Sequence, residues 1–286
     1  MKTNFFLKFF LFTYAFVLCS CSHETFSGAW QKTPVKVDAK INDWEIPLRL
    51  YDDATKLNYA VTNDADNLYL CMRASDVHVQ MKIMQAGMQV WIDTTGKKKQ
   101  KIGIFFPLST GEKIRYDIPG ATGSQNFETD DKREQLKMRG DFLASNKQMQ
   151  LKGFKPPLAG TVPLHSEGGI ELSINWDSTN TLIYEAKIPL ATFYKKSLSA
   201  SDSEKVFSIG IYVNGIEVKS SGPGGGSGAG AMAPATNGMG SIGGSGMASG
   251  MAGGRGKALG SGLGEEYKAL AKTRNVWVRF KLAAPR

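Results

Sequence analysis

The sequence predicts an all-β protein, an antiparallel β-sandwich with short helices, and three observations support this prediction. Short runs of alternating apolar and polar residues recur about every ten residues along the chain. Clusters of Asn, Asp and Gly, which favour turns, separate many of these runs. The pattern does not show strands alternating with long amphipathic helices, as a parallel sheet would. These features favour a sandwich of antiparallel strands.

The first half of the chain contains two predicted hairpins and one predicted helix. An Asn/Asp cluster at 62–67 separates two apolar runs and predicts a tight turn between them. Met81, Met84 and Met88 follow at helical spacing, and Gly87 marks the end of a short helix. The predicted strands of this half are 35–37, 57–61, 68–73, 88–93 and 102–106.

The second half begins with a polar stretch and then returns to strands. Asp131 and Glu134 form an Asp-x-x-Glu pattern that predicts the start of a helix. A turn is predicted at 177–180, and Pro189, which has no amide N–H, lies at the end of the strand that follows. The predicted strands of this half are 170–176, 182–190, 207–214 and 276–282.

Residues 220–264 are largely Gly, Ser, Ala and Met, and they interrupt a single predicted domain at 35–286. A segment of this composition can bury too little apolar surface to offset the conformational entropy lost when its backbone becomes ordered, so we expect a disordered loop. The strand at 276–282 must return across this loop to its sheet. One expected role is a flexible arm that binds a protein partner, and compositional drift is another explanation. A Cu(I) site is a further alternative, with thioether ligands from Met232, Met239, Met247 and Met251.

The N-terminus carries the pattern of an export signal. Lys2 and Lys8 provide the positive start, and the apolar run at 9–18 is too short to span a bilayer comfortably. The sequence Leu-Cys-Ser-Cys at 18–21 follows, and it resembles the lipobox of bacterial lipoproteins. The lipobox places its obligatory cysteine at Cys21.

This resemblance implies that residues 1–20 are a signal peptide and that Cys21 is acylated and becomes the mature N-terminus. Residues 21–34 are then predicted to be a tether, and the lipid holds the protein on a membrane. We expect the periplasmic face of the outer membrane, with surface display as the alternative. Ser22 does not resemble an Asp-type signal for inner-membrane retention. The alternative at this terminus is an ordinary secretory signal cut near Ser20 or Ser22.

The basic charge of the chain is spread out. The formal net charge is +9, and loss of Lys2 and Lys8 with the signal lowers it to +7. The densest basic cluster, at 97–101, falls in a predicted turn. Nucleic-acid binding needs a basic stripe with interleaved aromatic residues, so we expect no nucleic-acid partner. After processing, Cys71 is the free thiol, and its apolar neighbours predict that it is buried and inert.

Five segments follow one another in a distinctive order. They are VKVDAKINDW at 35–44, NDADNLYL at 63–70, QVWID at 89–93, YEAKIPL at 184–190 and WVRFKL at 277–282. In order and spacing they resemble the family-9 carbohydrate-binding modules and their relatives in the wider DOMON-like superfamily. With the lipobox, the chain resembles envelope lipoproteins of Bacteroidetes-type bacteria.

The resemblance spans 35–286 apart from the Gly/Met-rich loop. It implies a non-catalytic sandwich that binds a carbohydrate or glycoconjugate. Ala39 and Asn42 depart from the Gly and Asp that the family prefers at these positions. The alternative is a structural or protein-interaction lipoprotein whose sandwich has no sugar site. The sequence has no Gly-x-Ser-x-Gly or His-Glu-x-x-His pattern, so we expect no enzyme.

The tryptophans are the candidates for sugar contacts. In the family, paired tryptophans clamp a terminal sugar, because the C–H faces of sugars stack on aromatic rings. Trp44, Trp91 and Trp277 lie in segments where the resemblance implies core aromatics, so we expect them to pack between the sheets. Trp176, at the end of an alternating strand, and Trp30 are the carbohydrate-binding candidates.

The resemblance also suggests metals. Relatives bind Ca²⁺ through loop carboxylates, which implies Asp38, Asp43, Asp64 and Asp66 as ligands of a structural calcium ion. Hairpin turns are the alternative explanation of these aspartates. Some DOMON-like relatives carry haem on Met and His ligands, which would involve His78. A helix face of core methionines is the alternative there.

Overall fold

A computed structural model describes residues 24–109, 127–196, 198–217 and 268–284. They form two β-sheets packed face to face, with two α-helices, α1 (Val77–Ala86) and α2 (Phe127–Ser145). The strands are β1 (Thr25–Ser27), β2 (Ala29–Trp30), β3 (Leu50–Asp52), β4 (Leu57–Asn63), β5 (Asn67–Ala74), β6 (Met88–Asp93), β7 (Ile102–Phe105), β8 (Gln148–Lys152), β9 (Gly160–Pro163), β10 (Glu171–Trp176), β11 (Leu182–Pro189), β12 (Val206–Val213) and β13 (Arg274–Lys281).

The sheets are largely antiparallel. The seven-stranded sheet has the order β1-β13-β12-β6-β7-β8-β9, and the six-stranded sheet has the order β10-β11-β5-β4-β2, with β3 also paired to β4. Two pairs among the described strands are parallel, β1 with β13 and β2 with β4. The predicted all-β sandwich is confirmed. The parallel pairs were not predicted, because β1 and β2 have only three and two residues and show no alternation.

The main core lies between the sheets, and strand alternation selects its residues. In β5, Leu68, Leu70 and Met72 are buried in this core. Tyr69 and Cys71 point to the opposite face of the same strand and join a second cluster. Cys71 is fully buried, as predicted. Each large apolar side chain buried in this way stabilises the fold by about 1.5–3 kcal/mol. Because β5 contributes such side chains to both clusters, it is a central element of the fold.

Residues 35–48 cover the outer face of the six-stranded sheet. Val35, Trp44 and Leu48 are buried there against side chains of β4, β5 and β11. The strand predicted at 35–37 is wrong, because this segment has no strand pairing. Its apolar residues pack down on the face of the sheet instead of joining a sheet edge.

The helix predicted to end at Gly87 and the helix predicted to start at Asp131 are both present. A third helix, predicted at 265–271, is helical over its described part, 268–271. Asp76 begins α1, and its side chain accepts the backbone N–H groups of His78 and Val79. Gly87, at φ +76°, ends the helix in a conformation that suits glycine. Met84 packs against the main core, which agrees with the core-packing explanation of the helix methionines. The helix α2 begins upstream of its predicted start.

The sandwich begins earlier in the chain than predicted. β1 and β2 lie in the segment predicted to be a tether, so ordered strand structure starts at Thr25. β3, β8 and β9 were also missed. β3 has three residues and β9 is mostly exposed, so neither shows a clear apolar pattern.

The last strand returns across the insertion, as predicted. β13 pairs with β12 over eight residue pairs. The predicted signal peptide, Cys21 and the loop at 220–264 with its four methionines lie outside the described residues. Within the described ranges, no helix has the length and apolar character needed to cross a membrane.

Candidate functional site

A groove of about 730 Å³ opens where the N-terminal segment crosses from one sheet to the other. β1 belongs to the seven-stranded sheet and β2 to the six-stranded sheet, and only Gly28 separates them. Both strands line the groove, together with parts of β4 and β13 and the loop at 42–50. Its volume lies within the range of small-ligand sites.

Gly28 makes the crossing possible. Its amide N–H donates to the carbonyl oxygen of Lys281 at 2.8 Å, and a Cβ at this position would lie 2.6 Å from that oxygen. The side chain of Asn63 accepts the amide N–H of Ala283 and donates to its carbonyl. These contacts hold the edges of the two sheets together beside the groove.

Trp30 provides the accessible indole of the groove. It lines the groove and is half-buried, so part of its ring can be covered by a ligand. Trp44 also lines the groove but is only 8% exposed, and its indole N–H is donated to Glu185. Trp30, one of the two predicted candidates, therefore lies in a groove with a second tryptophan.

Polar side chains without protein partners surround Trp30. Gln31, Asn42 and Glu45 line the groove, and their side chains form no hydrogen bond or ion pair with the rest of the described chain. The hydroxyl of Thr62, also in the lining, is buried without a partner. Buried polar groups are normally hydrogen-bonded, so the Thr62 hydroxyl is suited to a hydroxyl of a ligand. Asn42 and Glu45 are exposed, so their side chains are accessible to further hydroxyls.

The charges of the groove balance. Lys32 and Arg49 are its cationic residues, and Asp43 and Glu45 are its acidic residues. Arg49 donates from Nη1 to the carbonyl of Ser27 at 2.8 Å, which holds its guanidinium against β1. A lining of balanced charge suits a neutral polar ligand better than a strongly charged one.

Glu185 of β11 fixes the loop that forms one wall of the groove. Its fully buried carboxylate accepts the backbone N–H of Asp38 at 3.0 Å, that of Ala39 at 2.6 Å and the indole N–H of Trp44 at 2.7 Å. Burial raises the pKa of Glu185, although these hydrogen bonds act in the opposite direction. The sequence analysis did not predict this contact. The one feature that could have indicated it is an acidic residue inside the apolar run of β11.

Ala39 explains one departure from the family pattern. Its φ is +56° and it is 3% exposed, so the chain turns sharply there beneath the protein surface. The left-handed region costs a non-glycine residue about 1–2 kcal/mol, which is why glycine is preferred at such a position. The hydrogen bond from its amide to Glu185 offsets part of this cost.

Trp176 does not belong to this groove. It ends β10, at the opposite edge of the six-stranded sheet from β2, four strand spacings or about 19 Å away. Arg139 of α2 lies 4.9 Å from the ring centroid, and Phe142 contacts the ring edge-on at 5.8 Å. The indole N–H donates to Gln80. The role of Trp176 in carbohydrate binding stays a prediction.

The four aspartates predicted to bind calcium make turn contacts. Asp38 and Asp43 each accept a backbone N–H from their own loop. Asp64 accepts the amide N–H of Asp66 and that of the next residue. No three His, Cys, Asp or Glu side chains of the described segments are grouped so that they could hold a metal ion. Calcium binding by these four residues stays a prediction.

The expectation that Trp91 and Trp277 pack between the sheets is wrong. Their strand neighbours Val90 and Val278 fill the main core, so the two indoles lie on the outer face of the seven-stranded sheet. Trp44 also packs outside the main core, on the outer face of the six-stranded sheet. Apolar residues occur on both faces of these strands, so the alternation did not distinguish inside from outside.

No protein-family model matches the sequence, and no curated protein matches it. Among solved structures, the chain is similar to "A carbohydrate binding module family 9 (CBM9) from Caldicellulosiruptor kristjanssonii in complex with glucose". The identity is 11%, the match covers 93% of this chain and 97% of that chain, and the TM-score is 0.33. At this identity and TM-score, the similarity carries no argument about the fold family or a ligand.

Proposed function

We propose that the protein is a non-catalytic cell-envelope lipoprotein that binds a carbohydrate in the groove beside Trp30. One observation supports this proposal most directly. A single groove of about 730 Å³ combines a half-buried indole with polar side chains that have no protein partner. Sugars present apolar C–H faces and many hydroxyls, and this combination of groups can contact both.

The groove favours a short neutral glycan. Trp30 offers a surface for a pyranose ring, and Gln31, Asn42 and Glu45 offer acceptors or donors for hydroxyls. The balanced charge of the lining provides no preference for an anion. A volume of this size suits a short oligosaccharide or the terminal sugars of a glycoconjugate.

The membrane part of the proposal comes from the lipobox at Cys21. β1 begins at Thr25, so the chain between an acylated Cys21 and the sandwich spans at most about 14 Å. The groove then lies close to the bilayer, where envelope glycoconjugates are found. The alternative is an interaction lipoprotein without a sugar site, and the experiment below separates the two.

The sugar-binding proposal is tested by screening the protein on a glycan array and measuring the hits by calorimetry. Trp30→Ala should weaken binding at least tenfold, since a lost stacking contact of about 1.4 kcal/mol corresponds to that factor. Tyr51→Ala is the matched control, since this exposed aromatic ring of β3 does not line the groove, and it should bind like the wild type. If the wild type binds no glycan at millimolar concentration, the interaction alternative replaces the proposal.

The anchor is tested by expressing Cys21→Ser beside the wild type and partitioning both between detergent and water. The wild type should enter the detergent phase and carry label from a radioactive fatty acid. The variant should lose the label and leave the detergent phase. A labelled variant would show that the acylation site has been misassigned.

A further inference from the structure

Trp277 of β13 lies flat on the outer face of the seven-stranded sheet, away from the groove. Gly210 of β12 is its cross-strand partner, and a Cβ there would lie 2.6 Å from the indole. Tyr212 stands at 88° to the indole, and its hydroxyl accepts the indole N–H at 3.0 Å. One face of this half-buried indole therefore rests on the sheet, and the other faces outward.

The same arrangement occurs a second time on this face. Trp91 of β6 covers Gly103 of β7, where a Cβ would lie 2.7 Å from the ring, and Phe105 stands at 81° to it. Lys152 lies 5.7 Å from the ring centroid, and Trp91 is only 4% exposed. Both glycines belong to an Ile-Gly-Ile-aromatic pattern. Of the two indoles, Trp277 is the one accessible to a ligand.

The accessible ring of Trp277 and the buried ring of Trp91 lie in one row across the sheet. β13 and β6 lie two strands apart in the sheet, which separates Trp277 from Trp91 by about 10 Å. Tyr212 and Phe105, both half-buried, lie beside them on the same face. A broad sheet face of this kind suits an extended polymer, whereas the groove encloses a short ligand.

The strands of this sheet carry an excess of positive charge. Asp93 is the sole carboxylate among the residues of the seven strands, and hydrogen bonds from Thr95, Lys97 and Lys99 occupy its oxygens. On the outer face the cationic residues of these strands are Lys152, Arg279 and Lys281, of which the last pairs with Glu204, whereas Arg274 shares the inward-facing positions of Val278 and Phe280. The charge of this face therefore complements an anionic ligand.

Arg279 places one of these charges beside the open indole. It follows Trp277 by two residues in β13, so both side chains lie on the same face about 7 Å apart along the strand. Its Nε–H is buried without a hydrogen-bond partner, and the guanidinium forms no ion pair with any residue of the described ranges. The residue as a whole is half-buried, so the exposed part of its charged side chain can form a charge-assisted hydrogen bond with a carboxylate from outside the chain.

We propose that the outer face of the seven-stranded sheet binds an acidic polysaccharide, with a sugar ring stacked on Trp277 and a uronate carboxylate held by Arg279. This proposal goes beyond the groove, because it concerns a different face, a different class of glycan and different residues. It does not require the groove to be a sugar site.

The experiment measures binding of the full chain to immobilised polygalacturonate in 150 mM salt, with immobilised dextran as the neutral polymer. The wild type should bind polygalacturonate and not dextran. Trp277→Ala and Arg279→Met should each weaken binding at least tenfold. Arg279→Met leaves the aromatic surface intact, so it tests the proposal even if Trp277→Ala unfolds. Melting curves check the fold of both.

The control variants separate a built site from general basic charge. Arg139→Met removes the same charge from α2, where Arg139 packs on Trp176 of the six-stranded sheet, and Trp30→Ala alters only the groove. Both should bind polygalacturonate within twofold of the wild type. Absence of wild-type binding, or equal weakening by Arg139→Met, would overturn the proposal. A further outcome bears on the groove alone. If the wild type binds polygalacturonate, Trp277→Ala weakens that binding, and no neutral oligosaccharide binds, then only the groove proposal is overturned.

Discussion

The buried carboxylate of Glu185 accepts the indole N–H of Trp44 at 2.7 Å. This bond joins β11, near the centre of the six-stranded sheet, to the segment that covers the sheet and forms a wall of the groove. The fold and the candidate site therefore depend on the same contact. The residues of this contact come from two distant parts of the chain that both carry the family resemblance.

Glu185→Gln should lower the free energy of unfolding by about 2–3 kcal/mol, because the amide turns one acceptor oxygen into a donor that faces an N–H group. Urea unfolding at pH 7 measures the change. Glu204→Gln is the matched control, since Glu204 is exposed and pairs only with Lys281, and it should leave the stability unchanged. A loss below 1 kcal/mol for the buried variant would contradict the assigned role.

Asp93 should make the stability depend on acidic pH. Burial raises the pKa of this carboxyl group, but hydrogen bonds from the Thr95 hydroxyl and from the amides of Lys99, Thr95 and Lys97 outweigh it, and the pKa is lowered overall. Such a group stabilises the fold above its ordinary pKa of 3.8. That stabilisation is lost as the pH falls through the lowered value.

Asp93→Asn should therefore be less stable than the wild type at pH 7, by about 1–3 kcal/mol from lost hydrogen bonds. The difference in the free energy of unfolding between variant and wild type should narrow from pH 5 to pH 2, because Asp93 of the wild type becomes protonated in this range. Urea midpoints over this range measure it. Asp53→Asn, at a carboxylate that is 85% exposed, is the control, and it should leave the free energy of unfolding at pH 7 nearly unchanged. A constant difference for Asp93→Asn would argue against a lowered pKa.

Cys71 should be unreactive while the protein is folded. Burial, with the nearby charge of Glu185, raises the pKa of its thiol, so little thiolate forms and reagents cannot reach it. In a chain with Cys19 and Cys21 replaced by serine, a disulfide reagent at pH 8 should react about a thousandfold more slowly than in urea. Rapid reaction in the folded state would mean that the cover formed by 35–48 opens readily.

Gly210→Ala should destabilise the protein by about 1–3 kcal/mol, because the new Cβ would meet the Trp277 ring at 2.6 Å. Adding Trp277→Ala should recover part of this loss, and the double-mutant cycle measures the coupling. Gly140→Ala gives the contrast. Gly140 lies within α2 with open space around it, so alanine should stabilise the helix by about 0.5–1 kcal/mol.

Strand alternation was enough to predict the central strands. β4, β5, β10 and β11 bury every second side chain in the main core, and their turns contain Asn and Asp. β1 and β2 were missed because they are held by backbone pairing with β13 and β4 and by the crossing at Gly28, none of which leaves an apolar period. An apolar pattern in the sequence indicates which residues are buried, and it does not detect these short strands because they are only half-buried.

The candidate site was predictable only in part. Trp30 was identified as a candidate by elimination, yet its distance from Trp176 depends on the order of strands in the sheet, which a sequence pattern does not contain. The outward position of Trp91 and Trp277 could not be predicted from the sequence, for a related reason. Each ring covers a glycine in a neighbouring strand, and that pairing exists only once the register is formed.

The short N-terminal strands also cover strand edges through which the molecule could otherwise self-associate. β1 covers the edge of β13, and β2 and β3 together cover that of β4. Uncovered strand edges pair readily with other chains. A protease that cut after Trp30 would expose the edge of β13 and the part of β4 that β2 covers, and it would remove the accessible indole of the groove in one event. The cut form would lack the accessible indole of the candidate site and would pair more readily with other chains at these edges.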